Sequence, residues 1–237
     1  MAASLEFPGS ADYISVGDNN LLDGSTAITI MCFARIESII DTNSNTVLNK
    51  LNNQEGFPTR GLMFGLYRAG HEIHFSLVGD GGLTAFVKTS GVAGSLNNWY
   101  HWAYTWDASI SSTFLSACKF YQDGVPGTVI DSFRGTLAVT QVNNSDGDMQ
   151  IGRRGTQANT WDGQISHVKM YDRALTQGEI IESVYNPEAI MKGLVSWWPL
   201  TTTGAKDMSG GGFNGTIVGG VVDSDRGTSY NLSELKG

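Results

Sequence analysis

The chain has 237 residues, 41% of them hydrophobic and 10% aromatic, enough for a substantial core in one all-β unit. Only 16% are charged, against ~25% in an average domain, so too few Glu, Lys and Arg remain to coat a helical bundle. The formal net charge of −8 opposes phosphate backbones and argues against a nucleic-acid partner, and no apolar run reaches the ~18 residues of a membrane-spanning helix.

Apolar residues alternate with a period of two along most of the chain, the signature of half-buried strands. Residues 5–7 and 13–16 read as two short strands around Pro8-Gly9-Ser10. Residues 27–36 (AITIMCFARI) are apolar on both faces, which predicts a central strand covered on both sides. A polar turn at 41–45 precedes a short strand at 46–50, and Gly56 and Pro58 make residues 52–59 a loop. Residues 61–67 and 71–78 form a hairpin, followed by a strand at 83–88. Residues 99–106 (WYHWAYTW) are the most aromatic stretch. Residues 114–122 read as one strand ending at the Asp123-Gly124 turn, with further strands at 128–133, 149–152 and 165–171. One helix stands out. Thr176 followed by Glu179 is a capping box, Ile180, Ile181, Val184 and Tyr185 supply an apolar face, and Asn186-Pro187 ends it. Cys32 and Cys118 lie in apolar runs and read as buried free thiols. The predicted fold is an all-β, antiparallel two-sheet jelly-roll sandwich with one short helix.

Several of these stretches resemble the Laminin-G-like, concanavalin-A-like jelly-roll superfamily. The opening LEFPGSADYISV (5–16), the strand WYHWAYTWD (99–107), the hairpin FYQDGV (120–125), Gln150-Ile151-Gly152 and WDGQISHVKMYDRALT (161–176) are similar to family segments and follow in family order. The resemblance implies the fold and not a single function, because the fold hosts lectins, adhesins and hydrolases. Residues 1–192 form the sandwich. Residues 193–237 form a strand-bearing C-terminal segment, in which 193–220 resemble the lead-in strand that family members carry before the opening motif and 228–232 resemble the strand after it, so the order looks circularly permuted. Such a tail fills its slot either in its own chain or in a neighbouring subunit, which makes Leu194, Trp197 and Trp198 candidate subunit contacts.

Glycanases of this fold alternate carboxylates along one strand, so that an acid and a nucleophile share a face and flank the scissile bond. None of the eight Glu begins such a pattern, and the chain reads as non-catalytic. His71 and His74 point to opposite faces of a strand, and His101 and His167 read as packed or hydrogen-bonded. A pentraxin-type calcium site is not expected, because the stretch after Ile151-Gly152 is Arg153-Arg154-Gly155 and the earlier loop is Asn52-Asn53-Gln54. Arg153-Arg154 reads as a solvated turn. Calcium is the one cofactor raised: Asn144, Asp146 and Asp148 offer alternating oxygen ligands, or else a polar Asx turn. Trp102, Tyr104, Trp106 and Trp161, with Tyr100, read either as a sugar-stacking platform or as core.

No basic and apolar leader opens the chain, so it reads as assembled at a virion or extracellular surface without a signal peptide. The expected function is a virion-type structural or decoration protein. Its partners are copies of itself, a larger protein assembly such as a capsid, and surface glycans. The alternative is a carbohydrate-binding lectin or adhesin module.

Overall fold

The computed structural model describes residues 4–8, 12–38, 44–51, 61–67, 72–78, 82–91, 94–143, 147–155, 160–201 and 204–223. In chain order they form β1 (Leu5–Pro8), β2 (Tyr13–Gly17), β3 (Ala27–Ile36), β4 (Ser44–Leu51), β5 (Gly61–Tyr67), β6 (Glu72–Val78), β7 (Thr84–Thr89) and β8 (Trp99–Asp107). Then come α1 (Phe114–Ala117), β9 (Cys118–Gln122), β10 (Val125–Gly127), β11 (Val129–Phe133), β12 (Met149–Ile151) and β13 (Asp162–Tyr171). The C-terminal part supplies α2 (Gln177–Tyr185), β14 (Leu194–Trp198), β15 (Thr216–Val218) and β16 (Val222–Asp223).

These strands make two sheets packed face to face. The first runs β10-β9-β8-β3-β13-β1-β16, with β14 also on β13, and the second runs β11-β7-β6-β5-β4-β12-β2-β15. All pairings are antiparallel. The central position predicted for β3 holds, because it lies between β8 and β13 and is buried almost end to end. Inward residues of both sheets form one core, which includes Phe7, Ile30, Phe64, Phe75, Tyr104 and Trp198. Cys32 and Cys118 are buried and unbridged, as expected.

The expected strand over 114–122 is corrected. It starts with one helical turn, α1, which puts Phe114 and Ala117, three residues apart, into the core. The backbone N–H of Phe114 donates to Leu137 O (3.0 Å) and that of Leu115 to Gly135 O (2.7 Å), so a neighbouring loop holds the turn closed. The Asp123-Gly124 turn has φ of +53° and +81°, the pair of left-handed residues that a tight two-residue hairpin requires. Gly163 lies at φ +133° in β13, and a Cβ there would come within 2.2 Å of Arg35 O, so only glycine lets β13 approach β3.

The capping box on α2 is present. Glu179 N–H donates to Thr176 Oγ1 (3.3 Å), and Thr176 N–H donates to Glu179 Oε2 (2.9 Å). Arg173 grips the same carboxylate through two donors at 2.9 and 2.7 Å. With this end fixed, α2 lies on the outer face of the first sheet. There Ile180 packs with Met31, Ala103, Tyr121, Tyr171 and Leu175 in a second apolar cluster.

The tail re-enters both sheets of its own chain. β14 pairs with β13, β15 with β2, and β16 with β1. Asp207 organises the crossing. Its carboxylate accepts from the backbone N–H of Trp197 (3.0 Å), Ser209 (2.9 Å) and Phe213 (3.0 Å). Burial works to raise its pKa, but those donors hold it below the ordinary carboxylate value. The Trp198 indole donates to Phe213 O (2.7 Å). Leu194, Trp197 and Trp198, the candidate subunit contacts, take up places within this chain. Their strand takes its edge on β13, Trp198 is fully buried in the core, and Leu194 packs against the cluster beneath α2.

Candidate functional site

The aromatic candidates are corrected first. Trp102, Tyr104, Trp106 and Trp161 are 2, 0, 0 and 0% exposed, so no sugar can stack on them. Even-numbered residues of β8 point between the sheets. Trp102 meets Trp161 edge-on at 6.2 Å, Tyr104 stacks on Phe75 at 5.2 Å, and the Tyr104 hydroxyl donates to Ile73 O (2.9 Å). Tyr100 is half-buried and stacks on Trp102 at 5.8 Å.

The proposed calcium ligands Asn144 and Asp146 lie outside the described residues, as do His71 and Asn52-Asn53-Gln54, and Asp148 is exposed. Among the described residues, no three His, Cys, Asp or Glu come close enough to hold a metal ion. A cavity of about 20 Å³ lies between Leu21, Leu22, Leu62, Met149 and Met170, beside Lys50. That is room for a water and not for a sugar ring.

A different surface gathers polar groups. On the second sheet, side chains facing away from the core line up across strands: Phe86 opposite Ser76, Ser76 opposite Met63, Met63 opposite Asn49, Asn49 opposite Gln150, Gln150 opposite Ser15, and Ser15 opposite Thr216. Phe86, Ser76, Met63 and Asn49 are buried, Gln150 and Ser15 are half-buried, and Thr216 is exposed. Tyr13, two residues before Ser15 and so on the same face, has the Arg153 guanidinium 4.8 Å from its ring centroid. Arg153 and Arg154 are both half-buried, and the contact with Tyr13 places Arg153 on this face. Asn49 donates its side-chain amide to Arg153 O.

The amide oxygens Asn49 Oδ1 and Gln150 Oε1 sit on directly paired residues and are both buried. Neither has a hydrogen-bond donor among the described residues. An orphan buried acceptor costs about 1–3 kcal/mol, so two side by side call for a donor; Asn49 itself is fully buried, and Gln150, Ser15, Tyr13 and Arg153 are the half-buried groups beside it. The arrangement can offer acceptors, hydroxyls, a guanidinium and one aromatic ring to a polar, ring-shaped ligand. Neither Asn49 nor Gln150 stands out as a site residue in the sequence, although Gln150 lies between Met149 and Ile151 and the alternation turns it outward.

The outer face of the first sheet is built differently. Beside α2 it carries His101, Phe33, His167, Lys169 and Trp197, all buried, as the packed reading of the two histidines expected. Phe33 meets His101 at 4.8 Å and His167 at 6.1 Å, both edge-on. Burial, reinforced by the Lys169 charge, lowers both histidines to about 3. Burial also lowers Lys169 to about 8, against the pull of the Glu188 carboxylate.

Residues 8–181 match the family model Laminin_G_3, described as the concanavalin A-like lectin/glucanases superfamily. No curated protein matches the chain. Among solved structures, a Bacteroides ovatus protein named for proposed carbohydrate binding is similar at TM-score 0.65 and 21% identity; the match covers 94% of this chain and 60% of that one. The heptameric SAP-like pentraxin of Limulus polyphemus is similar at 0.58 and 14% identity, covering 94% of each chain. The CBM40 of Ruminococcus gnavus IT-sialidase bound to α2,3-sialyllactose is similar at 0.56 and 17% identity, covering 76% of this chain and 95% of that one. At these identities the likeness is one of fold.

Proposed function

The chain belongs to the concanavalin A-like lectin/glucanase superfamily, and on that premise we propose that it is a non-catalytic, lectin-like module that binds glycans on the outer face of its second sheet. The observation that carries this reading is the pair of donor-less amide oxygens, Asn49 Oδ1 and Gln150 Oε1, beside Ser15, Tyr13 and Arg153. Sugar hydroxyls are donors that satisfy such acceptors, and Tyr13 adds a ring for the apolar face of a pyranose. The cross-strand row from Phe86 to Thr216 holds no carboxylate, whereas glycoside hydrolysis needs two flanking the bond. Two of the similar structures are carbohydrate-binding by name, and one holds a sialylated sugar. None of the three is named as a capsid protein, so the lectin reading stands ahead of virion decoration and capsid docking.

An array of neutral and sialylated glycans, probed with and without calcium, tests the proposal. Wild-type protein should bind a defined glycan class, and Gln150→Ala should weaken that binding about tenfold through one or two lost hydrogen bonds. Absence of binding under both conditions would overturn it.

A further inference from the structure

The tail is held to the body at a peculiar place. On one edge β13 changes partner: residues 162–165 pair with β1, and residues 168–171 pair with β14. Between the two sits His167, at φ +47°, where the β13–β3 register also shifts. A non-glycine residue held left-handed inside a strand is strained unless its surroundings fix it. Here its backbone N–H donates to Pro199 O (3.0 Å) and its ring to the tail. The Trp197 indole N–H donates to His167 Nδ1 at 3.1 Å, and the two rings stack at 5.8 Å.

That bond works in one protonation state only. Nδ1 accepts while the imidazole is neutral, and once protonated both ring nitrogens are donors. The groups facing the imidazole oppose a second charge. Lys169, on the same strand, has its ammonium 5.0 Å from the Trp197 ring centroid and donates to Pro187 O, with the Glu188 carboxylate acting on it. His101 on β8 faces it across Phe33, and Asp123 beyond accepts from the His101 backbone N–H (2.7 Å). We propose that the Trp197–His167 contact is an acid-sensitive latch, and that protonating His167 releases β14 from β13. The latch does not depend on the glycan reading.

The sign follows from linkage. His167 is depressed to about 3 while latched, by burial and then by Lys169, and returns to about 6.5 when β14 opens. Opening therefore takes up a proton between those values and becomes easier as pH falls below 6.5. The opening equilibrium should rise about 25-fold from pH 7 to pH 5.

Hydrogen exchange of the peptide covering 194–198, corrected for intrinsic rates, reads this directly in the intact chain. The wild type should show the rise. His167→Asn should not, since asparagine tolerates a positive φ and offers an acceptor that does not titrate. Equal opening at pH 7 and pH 5 in the wild type, or an unchanged rise in the variant, would overturn the latch. Should the variant not fold, nitrogen NMR of the wild type decides. A His167 ring that takes its proton near pH 6.5 while the Trp197 indole signal stays put would also overturn it. Loss of the indole signal in step with a depressed His167 titration supports it.

Discussion

The two sheets turn opposite outer faces to the world. The first hides its face under α2 and fills it with Met31, Tyr171, Phe33, His101, His167 and Lys169, all buried. The second keeps neutral polar groups there, graded from buried Asn49 to half-buried Gln150 and exposed Thr216. One face has used most of its chemistry on itself: His167 bonds Trp197 and Lys169 bonds Pro187, and of its two histidines only His101 keeps a buried nitrogen, Nδ1, without a hydrogen-bond partner among the described residues. The other has acceptors left over at Asn49 and Gln150. Buried polar groups that satisfy one another hold a fold together, and those that do not call for a bound water or, where they reach the surface, a ligand.

Four changes break or sharpen that contrast. The largest effect belongs to the tail beneath the first sheet. Trp198→Ala removes a fully buried indole and its bond to Phe213 O, and should destabilise the fold by about 3–5 kcal/mol in denaturant unfolding.

Acid should come next. His101 and His167, each depressed to about 3, stay neutral in the fold while the unfolded chain takes up their protons below 6.5, so stability falls as pH drops. Asp123, pushed up to about 6 by burial against the His101 N–H bond, binds its proton earlier in the fold and works in the opposite sense. Two losses against one gain leave a fall of about 1.4 kcal/mol per pH unit between pH 6 and 4. His101→Gln should flatten that slope in unfolding curves taken across the range.

Thr176→Ala opens the capping box that sets α2 on the covered face, and should lower stability by about 1 kcal/mol by thermal or chemical unfolding. On the open face, Gln150→Ala deletes an orphan acceptor and should leave the fold slightly more stable, by up to about 1 kcal/mol. A stability loss there as large as that of Trp198→Ala would make Gln150 a structural residue and erase the contrast between the faces.

The same contrast explains what could be read from the sequence. Strand alternation, the Asp123-Gly124 turn and the Thr176/Glu179 box are local signals, and the architecture followed from them. Trp102 and Trp106 show where local reading stops. Alternation puts them on one face, but which face lies inward is decided by a sheet whose strands come from distant parts of the chain. The candidate site depends on long-range register for the same reason. Gln150 lies in β12, roughly 100 or more residues after Asn49 and Ser15 along the chain; the three meet because β12 inserts between β4 and β2. Trp197 was prominent as an aromatic pair with Trp198, but its partner His167 is 30 residues away across a strand junction.

The most direct test of the central claim is NMR titration of the labelled protein with the glycan that the array selects, following side-chain amide signals. The account predicts shifts at Asn49 and Gln150, with the residues of α2 unmoved. Shifts centred on α2 or β10, with Asn49 and Gln150 unchanged, would contradict it.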